Sequence, residues 1–161
     1  MSTAGQPGAL DLYPPSRTGW FAVPRDHFRY DVSASITFPL KYLVYDGFAA
    51  YNTTAPVLYY CGNEGAVELF YNNSGALFSL ASSLGARLLF AEHRYYGTSL
   101  PFGAESFTPA SLSLLSVEQA LADYAALLLG LSSELGCRST RPSTATGRPL
   151  CDVILFGGSY G

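Results

Sequence analysis

Three short runs of residues, "PVLYY" at 56–60, "RLLFA" at 87–91 and "DVILF" at 152–156, constrain this chain more than any other feature. Each is apolar at successive positions rather than alternate ones and is rich in strand formers, so each strand must be covered on both faces. Strands of that kind pair in parallel and are covered by helices. The intervening sequence supplies them. "SGALFSLASSLGA" repeats apolar residues at helical spacing through Leu77, Leu80, Ala81 and Leu84, with Ser74 as an N-cap and Gly85 as the stop. A second helix opens on Ser116-Val117-Glu118-Gln119, a capping box in which Gln119 reaches back to the first turn. Its apolar stripe is Val117, Ala120, Leu121, Tyr124, Leu128 and Leu131, with Gly136 at its end. Upstream, "ASITFPLKYLVYDGF" is broken by Pro39 and Gly47 and reads as an antiparallel hairpin. Residues 1–23 are expected to be a mobile arm, and 24–161 an incomplete α/β domain of mostly parallel sheet with helices on both faces.

Composition narrows the function classes. With 48% apolar and 13% charged residues, the chain is built to pack. A net charge of −3 and the lack of any Lys/Arg cluster exclude an electrostatic footprint for nucleic acid. No apolar run approaches the roughly 20 residues of a membrane-spanning helix. The first fifteen residues show neither a basic n-region nor an apolar h-region, so no signal peptide is visible. The two histidines, His27 and His93, stand far apart, and no C-x-x-C, P-loop or dinucleotide fingerprint occurs. No metal or cofactor is expected.

Cys137 and Cys151 bracket a polar loop, "RSTRPSTATGRPL", short enough to be closed by a disulfide; two unrelated thiols are the alternative. The third cysteine, Cys61, leaves the count odd. Asn52 and Asn72 each head an N-x-S/T sequon and are candidate glycosylation sites.

The chemistry concentrates at the end of the third run, where "VILF" meets Gly157-Gly158-Ser159-Tyr160-Gly161. G-x-S-x-G after a strand is how α/β-hydrolases expose a nucleophilic serine, and the glycines are there because a Cβ would collide with neighbouring elements. The turn also sets the N–H of Tyr160 where an oxyanion would form. The alternative is a glycine-rich strand exit without chemistry. "CGNEG", after the first run, stands where such enzymes place a second oxyanion donor, and offers Asn63 and Glu64. Both histidines precede the serine, against the Ser-Asp-His order of this fold, so His93 reads as a structural residue and His27 as a still poorer base. Asp123 and Asp152 fail on the same ground.

"GNEG", "FAEHRYYGTSLPFG", "SVEQALADYAALL" and "FGGSYG", in this order and at this spacing, resemble the serine peptidase family of lysosomal Pro-X carboxypeptidase and dipeptidyl peptidase II. "RDHF" and "FPLKYLVYDGF" resemble that family's N-terminal stretch, so the likeness covers about residues 24–161. The loop at 138–150 departs from the pattern as an insertion. The resemblance implies an α/β-hydrolase truncated at its nucleophile elbow. Ser159 would then be the acylating nucleophile of an exopeptidase acting after proline, Tyr160 an oxyanion donor, and Asn63 and Glu64 substrate-lining residues. It also implies peptide substrates with proline beside the scissile bond, a homodimer in full-length form, and a lysosomal or secreted location. The family's Asp, His and helical cap follow the serine, so this chain alone is expected to be inactive. An esterase or lipase on the same fold, or a non-catalytic decoy, are the other readings.

Overall fold

The computed structural model describes residues 8–29, 36–49, 55–137 and 151–161. Five strands form one sheet: β1 (Arg17–Pro24), β2 (Thr37–Tyr45), β3 (Val57–Tyr60), β4 (Arg87–Ala91) and β5 (Val153–Phe156), ordered β1-β2-β4-β3-β5. β3 pairs in parallel with β4 and with β5, while β2 runs antiparallel to both β1 and β4. The three continuous apolar runs are therefore the parallel part of the sheet. The helices are α1 (Ala9–Leu12), α2 (Val67–Asn73), α3 (Gly75–Leu84) and α4 (Val117–Leu131).

Successive residues of β4 feed opposite cores, as the two-residue period of a strand requires. Leu89 and Ala91 pack with Val57, Tyr59 and the α4 residues Ala120, Tyr124, Leu127 and Leu131. Leu88 and Phe90 pack with Leu58 and with Val67, Tyr71, Leu77, Phe78 and Ala81 of α2 and α3. β5 is less covered: Ile154 and Leu155 are 44% and 60% exposed.

The N-terminal region departs from expectation. Residues 8–23 were expected within a mobile arm, yet β1 pairs with β2 along its own whole length, from Arg17 opposite Val44 to Pro24 opposite Thr37. Gly19 makes this pairing close, since a Cβ there would sit 2.6 Å from the Tyr42 ring. α1 is docked too: Leu10 N–H donates to Asn72 Oδ1 at 2.8 Å, and the Tyr13 ring stacks on Phe78 at 5.0 Å. The hairpin is thus β1–β2, and not a hairpin within 34–48. Pro39 interrupts nothing because of which way its nitrogen faces. Lys41, of the same parity, donates its N–H to Ser99 Oγ and accepts from Glu92 N–H, both away from β1. The missing N–H of Pro39 is therefore on the side that needs no β1 partner.

Two helical details also differ. α2 intervenes between "GNEG" and α3, and the Ser74 hydroxyl, expected as a cap, donates back to Phe70 C=O at 2.7 Å. In α4, Ser116 Oγ accepts the Gln119 N–H as expected, but the Gln119 side chain leaves the helix. Its Nε2 donates to Asp26 Oδ1 at 2.6 Å and its Oε1 accepts from His27 N–H at 2.9 Å. Consequently α4 buries Gln119 and Asp123, while Val117 and Leu121 of the expected stripe are 52% and 57% exposed. The helix stops at Leu131, and Gly136 closes the following turn at φ 71°.

Candidate active site

Because β3 and β5 are parallel neighbours, their C-terminal ends come out side by side. Cys61 N–H donates to Phe156 C=O at 2.8 Å, so the loops 61–65 and 157–161 leave the sheet together. The carboxyl edge of a parallel sheet is where such folds assemble their sites.

Ser159 stands on this edge with φ 56°, a left-handed backbone that L-residues other than glycine rarely adopt. A serine in that region, directly after a strand, is under backbone strain of the kind that gathers at functional sites. The steric case for the two glycines is direct. A Cβ at Gly157 would lie 2.4 Å from the Gly161 carbonyl oxygen. One at Gly161 would lie 2.0 Å from Asn63 Oδ1 and 2.6 Å from the Cys61 carbonyl oxygen. Neither position tolerates a side chain without moving backbone.

The exposed Ser159 hydroxyl donates to Glu64 Oε1 at 3.3 Å, so the "GNEG" loop reaches the serine. Asn63 is buried beside it, and its Oδ1 has no hydrogen-bond partner. The Tyr160 N–H makes no hydrogen bond among the described residues. A cleft of about 350 Å³ opens at the serine, lined by Cys61, Leu121, Tyr124, Leu155 and Tyr160. Burial pushes the Cys61 thiol up to about 11, so it stays protonated and is no competing nucleophile.

Neither histidine hydrogen-bonds Ser159. His27 Nε2 lies 2.7 Å from Asp123 Oδ1. Asp123 in turn takes a two-point pair from Arg94, with Nε at 2.7 Å and Nη2 at 2.8 Å. Arg94 spends its other protons on the carbonyls of Pro24, Arg25 and Leu114. His93 is fully buried; its Nδ1 is 2.7 Å from the Arg94 carbonyl oxygen and its ring lies 4.8 Å from that of Tyr160. Glu92, also fully buried, accepts from the backbone N–H of Val67, Thr98 and Ser99. It thereby ties the start of α2 to the loop after β4. Sequence reasoning missed the Glu64–Ser159 and His93–Tyr160 contacts. The clue was present in "EHR", three ionisable residues ending a fully apolar strand, which forces a buried polar network.

The remaining candidates lie away from the serine. Cys137 and Cys151 are joined by a disulfide. Asn72 is exposed at the end of α2, with Oδ1 engaged by Leu10 N–H. Asn52 and the insertion at 138–150 lie outside the described residues. Among those described, no helix is long and apolar enough to cross a membrane and no cluster could hold a metal ion.

The mixed sheet, its flanking helices and the serine turn define part of an α/β-hydrolase. A crystal structure from Agrobacterium vitis S4, provisionally named a hydrolase, superposes with a TM-score of 0.51 at 13% identity, over 88% of this chain and 51% of its own. Residues 24–161 match the serine carboxypeptidase S28 family, and the chain belongs to that family. It is 41% identical to the lysosomal Pro-X carboxypeptidase of Bos taurus over 138 residues, and 44% to that of Mus musculus over 143. These alignments take in 84% and 88% of this chain. The thymus-specific serine protease of Mus musculus is 34% identical over 154 residues, or 96% of the chain. The chain spans about a quarter of the length of these relatives.

Proposed function

We propose that this chain is the N-terminal part of a serine exopeptidase that hydrolyses peptide bonds after proline, with Ser159 as its nucleophile. The observation that carries the reading is Ser159 at φ 56° on the edge of the parallel sheet, between two glycines that cannot bear a Cβ. Ser159 Oγ attacks the carbonyl carbon of the proline itself, the Oγ proton passes to a histidine, and the Tyr160 N–H takes up the charge on the oxyanion. Collapse expels the amine, which leaves with that proton, and water hydrolyses the acyl-enzyme. Asn63 and Glu64 line the substrate site. The histidine and its aspartate belong to sequence after Gly161, by the Ser-Asp-His order of the fold, and the 161 residues alone have no turnover.

Relatives named Pro-X carboxypeptidase favour the carboxypeptidase branch over the dipeptidyl peptidase branch. Their names also favour a lysosomal location. The test is fluorophosphonate labelling of the full-length protein followed by peptide mapping. The label maps to Ser159 and is lost in Ser159→Ala; a label that persists in that variant removes Ser159 as nucleophile. Peptides with proline next to a free carboxyl-terminal residue, assayed beside peptides with proline second from a free amino terminus, assign the branch.

A further inference from the structure

We propose that His93 is a positioning residue for the oxyanion donor: its imidazole carries the Tyr160 ring and thereby fixes the Tyr160 N–H beside Ser159. The inference rests on Ser159 being the nucleophile, as proposed above.

His93 is fully buried, and its Nδ1 lies 2.7 Å from the Arg94 carbonyl oxygen. A carbonyl oxygen only accepts, so the ring proton is on Nδ1 and Nε2 keeps a lone pair. Nε2 is buried and has no hydrogen-bond partner. A core histidine retained for stability alone is expected to satisfy both nitrogens, because a buried unpartnered acceptor costs about 1–3 kcal/mol. What this ring does instead is meet aromatic neighbours: Tyr160 at 4.8 Å and 32°, Tyr96 at 5.4 Å and Tyr124 at 6.3 Å. Tyr160 follows the proposed nucleophile, its N–H is the oxyanion donor of that reading, and the aromatic ring against its side chain is His93.

The support is itself held from behind. The backbone N–H of His93 and the Ala91 carbonyl pack against Gly62, where a Cβ would come within 2.7 Å and 2.4 Å. Arg94, whose carbonyl orients the imidazole, is fixed by its pair with Asp123 of α4. A chain of direct contacts thus runs Asp123–Arg94–His93–Tyr160, from the middle of α4 to the elbow. Burial also holds the His93 ring below the usual histidine range, so it remains neutral and keeps one tautomer near neutral pH.

The experiment uses the full-length protein, with His93→Asn, which keeps a donor for the Arg94 carbonyl but removes the ring, and His93→Phe, which keeps the ring but removes the donor. Wild-type labelling at Ser159 by fluorophosphonate comes first; its failure would count against the nucleophile and not against His93. Labelling endpoints then count intact sites, and the labelling rate, kcat and KM are taken per site. In His93→Asn the labelling rate and kcat fall by about tenfold or more with KM within about twofold, the pattern of a misplaced transition-state donor. His93→Phe keeps a rate within about threefold of wild type although its Tm falls, since it leaves the Arg94 carbonyl unpaired. A wild-type rate per site in His93→Asn overturns the proposal, and so do equal losses in both variants.

Discussion

Arg94 and Asp123 meet in a two-point ion pair with both side chains fully buried, the guanidinium Nε 2.7 Å and Nη2 2.8 Å from the two carboxylate oxygens. The pair joins the loop after β4 to the middle of α4. His27 adds a third member at 2.7 Å, which brings the end of β1 into the same network.

Asp123→Asn would leave the Arg94 charge buried without its counter-ion. Breaking one side of a buried pair costs about 3–5 kcal/mol, so the urea midpoint of the full-length protein should fall sharply. Arg94→Lys should destabilise as well, because an ammonium cannot reproduce the planar fork that spans both carboxylate oxygens. An unchanged midpoint in Asp123→Asn would mean that the pair contributes nothing.

Gly161→Ala should impair activity strongly without touching the serine. Its Cβ would meet the Cys61 carbonyl oxygen at 2.6 Å and the Gly62 carbonyl oxygen at 2.8 Å, both backbone atoms that cannot rotate away. The elbow must shift, and kcat should drop by about 100-fold or more as the oxyanion donor is misplaced. Fluorophosphonate labelling rates on folded protein read this directly.

Stability should decline in acid partly through His93. Burial lowers its folded pKa, so the unfolded chain takes up a proton first. The contribution is fully present above the unfolded value of about 6.5 and is lost as pH falls through the lower folded value. Urea midpoints measured between neutral pH and about pH 5 should therefore fall less steeply in His93→Phe than in wild type. Parallel slopes would show that His93 contributes no linkage.

The Cys137–Cys151 disulfide closes a sequence separation of 14 residues. Cross-linking a loop of that size restricts the unfolded chain by about 3 kcal/mol. A Cys137→Ser, Cys151→Ser double variant should melt several degrees lower, and reducing agent should lower the Tm of wild type but not of the variant. Cys61, buried and protonated, should stay unreactive to alkylating reagents until the protein unfolds.

Much of the sheet was legible because its signals are local. Unbroken apolar runs announce β3, β4 and β5, and the glycines about Ser159 announce a turn that forbids side chains. The "EHR" triplet carried an unread sign that charge is buried there, and no local pattern says which carboxylate meets it. Asp123 and Gln119 were hidden for the same reason: helical spacing put the apolar stripe through Val117 and Leu121, whereas partners on other elements turn α4 so that Asp123 and Gln119 face inward. β1 was obscured because "RTGWFAVP" gains strand structure only by pairing with β2.

The sequence by itself determined a helix-covered parallel sheet and a serine on a glycine-flanked turn at its edge, since period and steric demand are properties of neighbouring residues. Only the tertiary structure decided that Glu64 reaches Ser159, that the His93 ring meets that of Tyr160, and that Arg94 closes on Asp123. Those contacts join residues from 29 to 95 positions apart, and long-range proximity is set by how elements pack, not by local pattern.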